Sequence, residues 1–148
     1  MIIVSACLAG VECRYNGQEF PIPAVIEMVK RGLALPICPE VLGGMPTKRP
    51  PAEQRKGRVF SADGQEFTTE FVTGAQISLQ IALLIGCKEA ILKSRSPSCG
   101  CGMIYDGSFS GQLVSGDGIF CKLLKESGIK TCTEEEIMAD CGCETRKE

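Results

Sequence analysis

The sequence predicts an α/β protein: one domain spanning residues 1–148, built on a Rossmann-like, doubly wound, mostly parallel sheet with long loops over its carboxyl edge. Four short apolar runs, at about 2–5, 34–37, 90–93 and 129–132, supply the strands. The segments between them have helical character, and parallel neighbours need such crossover connections. A chain of 148 residues, 44% hydrophobic, is long enough for one core and too short for two.

Ile2-Ile3-Val4-Ser5 forms the first strand. A helix over 23–31 follows, with Pro23 early in its first turn and Gly32 as its stop. Ala34-Leu35-Pro36-Ile37 is the second strand and Ala90-Ile91-Leu92-Lys93 the third. Between them a helix is expected over 74–85, where Ile77, Leu79, Ile81, Leu83, Leu84 and Ile85 are apolar on more than one face and predict deep burial. A helix over 119–127 stops at Gly128, before the fourth strand. Thr133 and Glu136 form a capping box for a last helix over 134–139. Two segments break the alternation. Residues 43–73, with Gly43-Gly44, Pro50-Pro51 and the run Arg55-Lys56-Gly57-Arg58, read as a functional loop or lid. Residues 100–118 read as a folded loop with a small hairpin near 103–109. Residues 140–148 read as a flexible tail.

The net charge of −2, from 16 basic and 18 acidic residues, argues against binding polymeric nucleic acid, which needs many cations against phosphates. A single nucleotide is compatible with it. No basic leader followed by an apolar core precedes the first strand and no apolar run reaches membrane-spanning length, so a cytoplasmic protein with no membrane partner is expected. In that reducing compartment ten cysteines point to metal or thiol chemistry rather than a disulfide framework. With no histidine, a catalytic base must be a carboxylate, lysine, tyrosine or thiolate.

Cys7, Cys38 and Cys99 each follow a predicted strand, where ligands collect in doubly wound sheets. Three thiolates from separate strand ends would hold a four-iron cluster with one iron free of protein ligands. The competing reading is three small buried residues. Cys13 is an alternative ligand, and Cys99-Gly100-Cys101 with Cys141-Gly142-Cys143 is an alternative four-thiolate zinc site. Cys87, Cys121 and Cys132 read as core. Glu40 is either a general base beside the metal or an exposed loop carboxylate. Ser96 and Ser98 either relay a proton or bond the local backbone. Ser115-Gly116-Asp117-Gly118 offers either a phosphate cradle or a turn with Asp117 as helix cap. Lys48, Arg49, Arg55 and Arg58 either bind an anion or form a solvated charged loop.

Cys7-Leu8-Ala9-Gly10, Cys13-Arg14-Tyr15-Asn16-Gly17, Cys38-Pro39-Glu40-Val41-Leu42-Gly43-Gly44, Ser96-Pro97-Ser98-Cys99-Gly100 and Tyr105-Asp106-Gly107-Ser108-Phe109 together resemble the thiouracil desulfurase family. The resemblance spans most of the chain. It implies a 4Fe-4S cluster on Cys7, Cys38 and Cys99, with Glu40 assisting water and Ser96 relaying a proton. The implied reaction replaces the thiocarbonyl sulfur of a thiolated uracil, thiouridine or thiouridine monophosphate by oxygen, without external electrons. The sequence departs from many relatives at Lys48, where proline is common, which puts substrate choice in question. The rival functions are a non-enzymatic sulfur or metal carrier and a thiol oxidoreductase. Glu40 and Ser96 favour chemistry over storage, and the absence of Cys-x-x-Cys weighs against the oxidoreductase.

Overall fold

The computed structural model describes residues 1–139. The predicted tail, with Cys141 and Cys143, lies outside the described residues. The central sheet holds β1 (Ile2–Ser5), β2 (Ala34–Ile37), β5 (Glu89–Leu92) and β8 (Lys130–Thr133) in the order β2-β1-β5-β8, and every pairing is parallel. Two antiparallel hairpins stand apart from it: β3 (Ala52–Arg55) with β4 (Arg58–Ser61), and β6 (Met103–Tyr105) with β7 (Leu113–Ser115).

Alternation along the strands sorts side chains onto two faces. Ile3, Ala90 and Leu92 enter one core with Ala75 and Ala82 of α3 (Thr68–Leu84) and Phe120 and Leu124 of α4 (Ile119–Glu126). Val4 and Ile91 enter the opposite core with Val25 of α1 (Pro23–Lys30) and Ile137 of α5 (Glu134–Ala139). The sheet is therefore covered on both sides, a doubly wound architecture. From β1 the chain moves outward to β2, then crosses back to β5 on β1's other side. That reversal makes the carboxyl ends of β1 and β5 the topological switch point, where such sheets bind ligands. The capping box is formed: the Thr133 amide donates to Glu136 Oε1 at 3.0 Å and the Glu136 amide to Thr133 Oγ1 at 3.4 Å.

Three expectations need correction. The segment 43–73, read as a loop or lid, contains the β3–β4 hairpin and the first six residues of α3. Helix α3 starts at Thr68 rather than 74, and Gly74 serves close packing inside it. A Cβ there would lie 1.8 Å from the Pro39 carbonyl oxygen, on the short helix α2 (Pro39–Leu42). Its buried stripe is made of Phe71, Gly74, Ala75, Ser78 and Ala82, while Leu83 and Leu84 are 56% and 86% exposed, so burial is one-sided.

Candidate active site

The ends of β1, β2 and β5 each deliver a cysteine by a different backbone device. β1 runs into a 3-10 turn, Ala6–Ala9, that carries Cys7 and ends at Gly10 in the left-handed region (φ 91°). Cys38 is the residue before α2, with Pro39 fixing the first helical position. After β5 the chain passes through Lys93–Ser98 to Cys99, and the amides of Phe120 and Cys121 at the start of α4 clasp the Ser98 carbonyl at 2.8 and 3.2 Å. Cys7, Cys38 and Cys99 line one cavity of about 440 Å³, together with Cys13, Glu40, Ser96 and Ser98. Met45, Arg49 and Glu53 wall it from the long connection, and Tyr105 and Phe109 from the second hairpin. Both irregular segments thus cover the carboxyl edge.

The thiols differ in charge. Burial pushes Cys7 up to about 11 and raises Cys99 further still. Cys38 is held down at about 7, because its sulfur accepts a hydrogen bond from the Cys13 thiol and another from the Val41 amide. Donating to Cys38 raises Cys13. Cys38 is therefore the cavity's readiest thiolate.

Glu40 is not an exposed loop carboxylate: its side chain is 13% exposed and bonded on both oxygens. Arg49, itself buried, donates to Oε1 from Nε at 2.9 Å and from Nη2 at 2.7 Å. Its other terminal nitrogen donates to the carbonyls of Cys13, Pro46 and Thr47 at 3.1, 2.9 and 3.0 Å, so one guanidinium ties the loop to the carboxylate. Ser98 Oγ donates to Oε2 at 2.9 Å. Ser96 Oγ lies 3.0 Å from Ser98 Oγ and accepts from the amides of Ser98 and Cys99 at 3.1 and 3.0 Å. With its acceptor side taken by two amides, Ser96 directs its own proton to Ser98, which directs its proton to Glu40. Ser96 thus bonds the local backbone and also stands in a chain of hydrogen bonds that reaches Glu40 through Ser98. Ser98 is the hydroxyl that touches Glu40, and nothing local distinguishes it from Ser96.

Three more cations reach the cavity: Arg14, Lys93 and Arg95. Lys93 pairs with the buried Glu134 at 3.1 Å and stands 4.5 Å from the centre of the Phe20 ring. Arg95 pairs with Glu135 at 2.8 Å. The cations named from the sequence behave otherwise. Lys48 is exposed, lies over Gly17 and is not among the residues that line the cavity. Arg49 is engaged by Glu40, while Arg55 and Arg58 stack on Phe60 and Arg58 pairs with Glu66. The phosphate cradle at 115–118 is also closed: the Ile119 amide donates to Pro97, and the next two to Ser98. Asp117 does not cap α4. It accepts from the Gly102 amide and from Lys125.

Among the described residues, no three cysteine, aspartate or glutamate side chains stand close enough to grip a single metal ion. Cys101 does not line the cavity and turns to Cys121, and the four-thiolate zinc reading also needs Cys141 and Cys143, which lie outside the described residues. Cys87 and Cys121 are buried core residues and Cys132 packs, half-buried, against the other core.

The chain belongs to the 2-thiouracil desulfurase family, whose model matches residues 2–136. It is 40% identical over 147 residues to "Uncharacterized protein YbbK" of Bacillus subtilis (strain 168), covering 93% of this chain and 97% of that one. A solved structure described as a [4Fe-4S]-dependent thiouracil desulfidase, TudS, superposes with a TM-score of 0.88 at 42% identity, covering 93% of both chains.

Proposed function

With membership of that family as the premise, we propose that the protein is a desulfurase that replaces the thiocarbonyl sulfur of a thiolated uracil, thiouridine or thiouridine monophosphate by oxygen, using a 4Fe-4S cluster held by Cys7, Cys38 and Cys99. The observation that carries this reading is the convergence of those three thiols with Glu40 on one cavity. Its volume of about 440 Å³ suits a small ligand. The donor set fits the cofactor: three soft ligands arrive from three separate strand ends.

When bound, the cluster supplies a Lewis-acidic iron, free of protein ligands, for the substrate sulfur. The chain's own residues do the rest. Glu40 orients a water toward the thiocarbonyl carbon and takes its proton. Arg49 fixes that carboxylate on one oxygen, and the Ser98–Ser96 pair leads protons to and from the other. The net change is addition of water and release of sulfide, so no electrons are needed. Met45, Tyr105 and Phe109 limit the entry of other water.

Anaerobic reconstitution with iron and sulfide analysis tests the cofactor. About four irons per chain are expected, lost in Cys99→Ser and kept in Cys13→Ser. Zinc alone, or the reverse pattern in the variants, overturns the ligand set. For the chemistry, Glu40→Gln is expected to keep its iron while sulfide release from thiouracil falls about 10²- to 10³-fold. Full activity in that variant removes Glu40 from the mechanism, and a loaded wild-type protein releasing no sulfide favours a sulfur or metal carrier.

A further inference from the structure

The Sγ atoms of Cys101 and Cys121 stand 2.8 Å apart. A disulfide bond is about 2.05 Å long, so roughly 0.8 Å of approach separates this contact from a covalent bond. The backbone enforces the approach. Before Cys121, the Gly118 amide donates to the Gly100 carbonyl at 2.7 Å and the Gly116 amide to the Gly102 carbonyl at 3.0 Å, lacing the chain on both sides of Cys101. The Cys121 amide is itself clasped to Ser98. The two backbone segments cannot separate without breaking several of these bonds. The pair faces the core beside α4 rather than the cavity.

We propose that Cys101 and Cys121 are a reversible oxidation site, closed to an intramolecular disulfide by low-molecular-weight disulfides such as oxidised glutathione. Cys101 is half-buried and Cys121 is sealed in the core, which sets the order of events. The Cys101 thiolate attacks one sulfur of the small disulfide, forming a mixed disulfide and expelling one thiol. The Cys121 thiolate then attacks the Cys101 sulfur and expels the second. Two protein thiols give up two protons and two electrons, and the small disulfide becomes two thiols. The product bonds the turn carrying Cys99 directly to α4, fixing that turn whether or not its cysteine has a ligand.

The test uses cluster-loaded protein treated with oxidised glutathione under anoxia. Remaining thiols are blocked with iodoacetamide under denaturing conditions, disulfides are reduced, and the freed thiols are labelled with N-ethylmaleimide. Fragmentation of the tryptic peptide 96–122 locates the labels. Maleimide on Cys101 and Cys121, with iodoacetamide on Cys99, is the expected result. Iodoacetamide on both Cys101 and Cys121, or maleimide on Cys99 and Cys101 together, overturns the proposal. Cys121→Ser is expected to trap one glutathione on Cys101 and to lose the rise in melting temperature that oxidation gives the wild type. In Cys101→Ser, Cys121 stays unmodified. A glutathione adduct on Cys121 there would overturn the assigned order of attack.

Discussion

The ends of β2 and β5 each bring a cysteine to the same cavity, yet they leave it in opposite states. Cys38 meets the Cys13 thiol and, because it precedes a helix, the Val41 amide, and it is held at about 7. Cys99 is sealed at the foot of a turn, 4% exposed, and burial drives it upward. Placement at a strand end brings a thiol to the edge. What then surrounds the sulfur sets its charge: a neighbouring thiol and a helix-start amide favour an anion at Cys38, and a closed turn excludes the water that would solvate one at Cys99.

The two ends also rest on different supports, and glycine substitutions should separate them. Gly74→Ala would ordinarily favour a helix interior, but its Cβ meets the Pro39 carbonyl oxygen at 1.8 Å. Both partners are helical backbone, so neither yields. A loss of about 3 kcal/mol, lowering Tm by about 10 °C, is expected by calorimetry. At Gly118 the Cβ meets Ser98 carbonyl atoms at 2.4 Å, where a helix start meets a turn that can shift. Gly118→Ala should cost less stability than Gly74→Ala and show its effect as poorer iron retention. Equal losses of stability would break the comparison.

Much of the β2 and β5 architecture was legible because it is local. The alternation of Ile3 with Val4, and of Ile91 with Leu92, assigns the faces, and the switch-point rule then brings Cys7, Cys38 and Cys99 to one edge. The β3–β4 hairpin was missed because Arg55-Lys56-Gly57-Arg58 reads as a charged loop. The signal was the Gly after Lys56: both residues have positive φ, 51° and 82°, as a two-residue hairpin turn requires. The start of α3 was missed because Gly74 reads as a helix boundary, whereas its reason is the backbone of Pro39, distant in sequence. Arg49 illustrates the same limit within the site. Nothing local distinguishes it from Arg55 or Arg58. Its role depends on burial against Glu40, which only the folded loop supplies.

The hydroxyls sharpen the comparison further, since Ser98 is where the β5 turn touches the β2 carboxylate. Ser98→Ala removes the donor to Glu40 Oε2 and breaks the path from Ser96, and an activity loss of about 10- to 100-fold is expected in sulfide release. Ser96→Ala leaves the Ser98–Glu40 bond intact but frees two amides of the turn. Its loss should be smaller in rate and visible in stability, at about 1 kcal/mol. A larger rate loss in Ser96→Ala than in Ser98→Ala would show that the proton reaches substrate from Ser96 directly.

The smallest effect is also the most direct reading of the contrast in charge. In the cluster-free protein, iodoacetamide should label Cys38 first. Thiolate fractions set by about 7 for Cys38 and about 11 for Cys7 differ at pH 7.5 by roughly three orders of magnitude. The more basic thiolate is the better nucleophile, with a Brønsted slope near 0.4–0.5, which removes about half of that on a logarithmic scale and leaves roughly a tenfold or greater preference. The signs with pH follow. A thiol held low is already ionised above its pKa, so the Cys38 rate should level off above about pH 8, whereas the Cys7 rate should keep rising through pH 10. Cys13→Ser retains a hydroxyl donor to Cys38, whereas Cys13→Ala removes it and should move the Cys38 midpoint upward. An unmoved midpoint in Cys13→Ala would assign the low value to the Val41 amide alone, and with it to the helix start rather than to the neighbouring thiol.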